Sequence, residues 1–337
     1  MNRYKYLLAF TLPLSVALSL EWGDRRAFFA VLYGFVLLPF FELLLPVSSR
    51  PLPQIEERGL ESDRLYDGML WLMVPIQYGL LLFFCFRISS EGMSPIVGLA
   101  LISAFGLACG VIGINVAHEL GHRKSRFERV LARALLATSL NWQFYVEHNR
   151  GHHRNVGTPG DTETSMLNES LYRFWIRAIR DSFLGAWMRD RNEMILGIAV
   201  EFFLMAAIYS AFGGRALAGF VGSALFGVLL LQSVNYIEHY GLTRKRLTSG
   251  GYEQVMAHHS WNSSHMLSRA MLFELSRHSD HHANVTRKYQ ILRHLEESPQ
   301  MPVGYPSMII LALIPPLWFK VMNPRVLASQ ASHSLPL

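Results

Sequence analysis

The chain has 337 residues, 51% of them hydrophobic, a formal net charge of +6 and a mean hydropathy of +0.21. That is apolar for a chain with a large polar middle section, and its two cysteines, Cys85 and Cys109, exclude a disulfide framework, a thiolate metal site and a redox Cys-x-x-Cys pair. No RNA- or DNA-binding motif accompanies the positive charge, which reads instead as a membrane-topology and lipid-headgroup signal with room for an acidic partner.

Six stretches are apolar enough to cross a bilayer, which takes about 20 residues of helix: about 5–20, 27–47, 69–87, 96–117, 194–212 and 216–236. The first is short and carries Pro13. Arg3 and Lys5 ahead of an apolar run also resemble a signal peptide, but Glu21-Trp22-Gly23-Asp24 follows where small residues would mark cleavage. A second apolar run then starts almost at once, as in a helical hairpin. Pro51, Pro53 and Gly59 mark an exposed loop over 48–68. Cys85 and Cys109 fall inside neighbouring spans and read as small packing residues. Residues 118–193 are polar, 194–236 form a hairpin turning at Gly213-Gly214, and 237–300 are polar again. The tail, 301–320, is broken by Pro302, Pro306, Pro315 and Pro316, so it is expected to lie against the protein or the membrane interface, with the last dozen residues disordered.

Charge sets the orientation. One side carries Arg3, Lys5, Arg50, Arg58, Arg64 and a dense set from Arg123 to Arg191; the other has only Arg25, Arg26, Arg87 and Arg215. The positive side faces the cytoplasm. The expected fold is an all-α integral membrane protein with six transmembrane helices, cytoplasmic termini and a cytoplasmic histidine-rich cap built from 118–193 and 237–300. Residues 1–337 are expected to form one unit, because segments separated by spans meet only if the whole chain folds together.

Nine of the fourteen histidines fall in four clusters: His118 and His122; His148, His152 and His153; His239; and His278, His281 and His282. Histidine is the commonest metal ligand among side chains. Nine imidazoles exceed what one ion takes, so the pattern points to two metals held mostly or wholly by nitrogen. His118 and His122, and His148 and His152, are four apart and are expected to share helix faces, with His153 alongside. His118 and His122 lie just past the fourth expected span and His239 follows the sixth directly, and the topology is expected to bring all four clusters to one membrane depth. Glu119, Glu147, Glu238 and Asp280 adjoin the clusters and are candidates to hydrogen-bond and orient the imidazoles, or are plain ion-pair partners; Glu119 stands three residues before His122. His258, His259 and His265 flank Trp261-Asn262-Ser263 and are candidates to line the site. His294 and His333 read as surface residues.

The boxes of the form His-x-x-x-His, His-x-x-x-His-His and His-x-x-His-His resemble those of the fatty-acid desaturase and hydroxylase superfamily. Asn235–Leu242, His259–Ser263, Arg277–Ala283 with Tyr289-Gln290, and Gly304–Pro306 resemble its alkane monooxygenase (alkane ω-hydroxylase) family, over nearly the whole chain. Ser276, Gly160, Glu42 and the 45–50 loop depart from the family pattern. The resemblance implies that His118, His122, His148, His152, His153, His239, His278, His281 and His282 bind two irons. It implies terminal hydroxylation of medium- to long-chain alkanes with dioxygen, in the inner membrane. Electrons would come from rubredoxin, reduced by an NADH-dependent reductase; the chain itself has no flavin or nucleotide fingerprint. Within the superfamily the alternatives are a xylene-type methyl hydroxylase and a fatty-acyl desaturase. Outside it stand a non-catalytic metal-binding membrane protein and an intramembrane zinc protease using His118-Glu119-x-x-His122; the protease reading leaves seven clustered histidines without a role.

Overall fold

The computed structural model describes residues 3–49 and 54–332. Arg50, Pro51, Pro53 and His333 lie outside them. Among the described residues there is no strand, only three isolated bridges joining loops. Four helices are long and apolar enough to cross a membrane: Arg25–Leu44, Arg64–Ile88, Pro95–Gly121 and Arg191–His239. They cover five of the six expected spans, the longest helix holding two.

The last of these is 49 residues and holds both later spans. Gly213 interrupts it with φ 81° and ψ −179°, a conformation that glycine adopts without steric cost. The contacts show that the chain reverses there. Near the start, Glu201 accepts from the Trp142 amide. At the turn, the Phe212 carbonyl accepts from Ser89 Oγ and Arg215 donates to the Ser90 carbonyl. At its end the helix delivers His239 back to the level of Trp261, whose amide donates to the Glu238 carbonyl. The hairpin at Gly213-Gly214 is therefore present.

The first expected span takes a different form. Arg3–Phe10 is a 3-10 helix that passes into the α-helix Thr11–Trp22. Pro13 has no N–H to give the carbonyl four residues back, so a continuous α-helix through Ala9 lacks a bond. This segment is not among the four long apolar helices; it packs on Arg64–Ile88 and Pro95–Ala108, burying Leu12, Val16 and Leu20.

Helix starts follow sequence chemistry. Asp63, Ser170 and Asp190 each accept from a backbone amide of the first turn they precede. Close packing of Arg191–His239 on Pro95–Gly121 depends on small residues. A Cβ at Gly227 would stand 2.6 Å from that of Cys109, and one at Gly106 2.7 Å from Phe226. Phe84 stacks on Phe105 in the same core, with ring centroids 4.9 Å apart. The outer faces expose Leu82, Phe86, Phe202, Phe203 and Tyr209, an apolar surface suited to lipid.

The tail does lie against the protein. Tyr305–Ala312 and Pro315–Ser332 are helical, and Trp318, Met322 and Val326 are buried against Tyr236 and Tyr240. The expectation of disorder over the last dozen residues is corrected as far as Ser332. Val326 seats on Gly241, and Gln330 donates to the Gly241 carbonyl at 3.0 Å.

Candidate metal centre

Four separate parts of the chain carry nitrogen to one place. Pro95–Gly121 carries His118 in its last turn, and His122 follows directly after its end. The helix Gln143–Glu147 runs into the π-turn His148–His152. The short helix His278–Ala283 meets His239 at the end of Arg191–His239. That helix is held from below by Asn262, whose Oδ1 accepts from the Ser279 amide at 2.9 Å. Trp261 Nε1 donates to the Tyr240 carbonyl. The Trp261-Asn262-Ser263 stretch thus fastens one ligand-bearing segment to another.

The nine histidines sort into two groups. His118, His122, His148, His153 and His281 form one; His152, His239, His278 and His282 form the other. The sorting departs from simple helical spacing at one point. His148 and His152, four apart, face different groups, whereas His148 and His153, five apart, bring their Nε2 atoms to 2.9 Å. The π-turn explains this, since its bonding runs from i to i+5, and the His153 amide donates to the His148 carbonyl.

The geometry fits metal better than hydrogen bonding. His153 Nε2 stands 3.2, 2.9 and 3.2 Å from the Nε2 atoms of His122, His148 and His281. One ring nitrogen carries either one proton or one lone pair, so it cannot satisfy three neighbours at once. Nitrogens about 2.1 Å from a shared cation stand about 3.0 Å apart at right angles and about 3.4 Å apart in a tetrahedron. His118 to His281 is 2.9 Å, His278 to His239 3.0 Å and His282 to His278 3.0 Å. These spacings, and a group of five, suit higher coordination than a tetrahedral zinc site. Burial holds His122, His148, His153, His278, His281 and His282 well below the usual imidazole range, in the neutral form that binds metal.

His152 differs. Burial disfavours its charge, but Asp161 and then Glu163 outweigh that and push it up to about 9. Its Nδ1 lies 3.0 Å from both Asp161 oxygens, while its buried Nε2 has no protein partner. A cation at Nε2 answers the same negative field. Glu163 is fully buried, with burial raising it to about 8 and with Oε2 3.7 Å from His148 Nδ1.

The four carboxylates singled out in the sequence have these partners. Glu119 forms an ion pair with Arg123 at 2.8 Å and accepts from the Tyr289 amide at 3.1 Å, rather than from His122. Glu147 accepts from Arg189 and Thr162. Asp280 accepts from Arg287, Asn284 and the Arg293 amide. Glu238 alone of the four approaches a clustered histidine, with Oε2 3.3 Å from His278 Nε2, while Oε1 accepts from the Tyr305 hydroxyl at 2.7 Å. His258 and His259 sit apart with Glu253, where His259 Nε2 meets Glu253 at 3.1 Å. His265 pairs with Ser263. Sequence reasoning passed over Asp161, Glu163 and the contact of Tyr305 with Glu238. The two acidic residues shortly after His153 were the available signal for the first two.

An apolar cavity reaches this centre. Its wall includes Phe35, Leu38, Leu107, Val111, Leu230 and Ile309, and His118, His148, His278 and Glu238 stand at it.

The fatty acid desaturase family model matches residues 93–312. The alkane 1-monooxygenase of Ectopseudomonas oleovorans is 35% identical over 96% of this chain and 86% of its own length. Alkane 1-monooxygenase 2 of Alcanivorax borkumensis is 36% identical over 97% of this chain and 91% of its own. The xylene/toluene monooxygenase hydroxylase component XylM of Pseudomonas putida is 27% identical over 76% of this chain and 72% of its own. The chain belongs to the fatty acid desaturase family, in the branch that holds the alkane 1-monooxygenases.

Proposed function

We propose that this chain is a non-haem diiron monooxygenase that converts the terminal methyl of medium- to long-chain alkanes to a primary alcohol. One observation carries the reading: two all-histidine groups, one buried and one largely buried, stand at the end of an apolar cavity. The similarity to alkane 1-monooxygenases supports the substrate class. His118, His122, His148, His153 and His281 would hold one iron, and His152, His239, His278 and His282 the other. Bound there, the irons would supply activation of dioxygen and oxidation of an unactivated C–H bond.

The protein's own part is placement. A hydrocarbon offers no polar handle, so the wall of Leu107, Val111, Leu230 and Ile309 selects by shape and keeps water from the methyl group. Asp161 fixes the His152 ring by accepting from Nδ1, which leaves Nε2 free to bind. Overall, one methyl group, one dioxygen, two electrons and two protons give one alcohol and one water. Cys85 and Cys109 are both buried, and no iron–sulfur ligand set exists among the described residues. Electrons therefore come from outside, in this reading from rubredoxin and its NADH-dependent reductase. The chain works as one inner-membrane unit of six passes, the Gly213 hairpin supplying two, with termini and metal centre on the cytoplasmic side.

Product analysis tests it. Purified protein given dodecane, a rubredoxin, its reductase, NADH and oxygen is expected to form 1-dodecanol. Turnover of xylene alone to the benzylic alcohol, or an alkene from an acyl chain, would transfer the chain to another activity of the superfamily.

A further inference from the structure

Among the polar residues in the cavity wall, two are bonded to each other. Glu42, at the end of the helix Leu38–Leu44, and Ser268, in the helix Met266–Met271, both line it. They are 3% and 4% exposed. Glu42 Oε1 accepts from the Ser268 amide at 2.8 Å. Glu42 Oε2 and Ser268 Oγ are both buried without a hydrogen-bond partner.

Two orphaned polar atoms on a bonded pair of residues are unusual in an apolar wall, because unpaired buried polar groups are destabilising. The chain nevertheless reserves space for them. A Cβ at Gly304 would fall 1.7 Å from Glu42 Oε2, so any residue larger than glycine would displace the carboxylate. An alkane has no atom that bonds to either group. A primary alcohol has one that bonds to both: its O–H donates to Glu42 Oε2, and its oxygen accepts from Ser268 Oγ.

We propose that Glu42 and Ser268 form a hydroxyl-binding station in the cavity wall, which takes the terminal hydroxyl of a long-chain primary alcohol. The proposal rests on the alkane-hydroxylase reading, since its occupant is the product of that reaction. A newly made hydroxyl has to cross an apolar passage where it would otherwise lose its hydrogen bonds. The station gives it a partner on the way out and sets how strongly product is retained.

The test is equilibrium binding of radiolabelled 1-dodecanol and dodecane to the purified full-length protein in detergent. Ser268→Ala removes a hydroxyl that has no partner in the folded chain, so the fold is kept. Glu42→Gln keeps an oxygen for the Ser268 amide and replaces the free acceptor by a donor. Wild type is expected to bind 1-dodecanol at least tenfold more tightly than dodecane. Each variant should weaken 1-dodecanol binding about five- to tenfold relative to dodecane, as loss of about one hydrogen bond does. If wild type binds both ligands and neither variant moves their ratio, the pair holds water or nothing and the station is overturned. Failure of wild type to bind either ligand would overturn the alkane reading and the station with it.

Discussion

Asp161 and His152 meet with both carboxylate oxygens 3.0 Å from one ring nitrogen, each residue being fully buried at the side chain. The contact divides the ring: Nδ1 is committed to the protein, and Nε2 faces the group of four histidines. Thr164 donates to the same carboxylate at 2.6 Å and so fixes it in turn.

Replacing Asp161 by asparagine should therefore weaken one metal of the pair. The ring loses its charged partner but keeps its place. Changes of this type cost about 10- to 100-fold in metal affinity. Chelator competition on the purified variant should show one of two metals lost early. Two equally retained metals would mean that Asp161 only packs.

The division between ligand and bystander histidines makes a second prediction. His239 belongs to the group of four, whereas His258 pairs spatially with His259 and Glu253. His239→Ala should lower metal content by about one per chain. His258→Gln should leave it unchanged. Metal analysis of both variants beside wild type checks this, and full metal content with full turnover in His239→Ala would refute its ligand role.

Glu274 ties the first segment to the loop ahead of the last histidine box. Lys5 and Arg269 bond its two oxygens, and Tyr6 donates to it as well. Burial raises its pKa, but Arg269 and Lys5 outweigh that and hold it at about 2. A carboxyl held below its unfolded value of 4.5 contributes stability that is complete above that value and lost as pH falls through about 2. Thermal unfolding in detergent should thus fall steadily between about pH 5 and 2. Glu274→Gln should lower the midpoint at pH 7, by about 3 kcal/mol in stability for a broken buried pair, and flatten the acid slope. Parallel slopes in variant and wild type would assign the acid loss to other groups.

Gly227 brings two membrane helices into backbone contact, with the Gly110 amide 3.0 Å from where a Cβ would stand. Gly227→Val should overpack this crossing and cost about 1–3 kcal/mol, read as a lower unfolding temperature. Because the same helix ends in His239, metal retention should fall with it. An unchanged unfolding temperature would show that the crossing yields.

Much of the centre was legible because its ligands are histidines at short, regular spacings. The grouping was not. An α-helical reading puts His148 with His152, and only the π-turn over His148–His152 pairs His148 with His153. For the carboxylates the sequence left imidazole orientation and ion pairing both open, for a different reason. Nearness in sequence to a histidine says little about a buried acid's partner: Glu119 bonds the Tyr289 amide, 170 positions away, and Glu238 bonds Tyr305. Hydropathy located the four long apolar helices and the Gly213 turn, since both are local properties. It found the apolar stretch at 5–20 but not its 3-10 start ahead of Pro13, and undervalued the tail, whose order depends on Val326 meeting Gly241.

The central claim is a pair of metals held by nine histidines, and counting metal tests it most directly. Iron and zinc are to be quantified per chain in the purified, detergent-solubilised protein. The account predicts about two irons and little zinc. One zinc and no iron would contradict it, and would leave His118-Glu119-x-x-His122 as the box to explain.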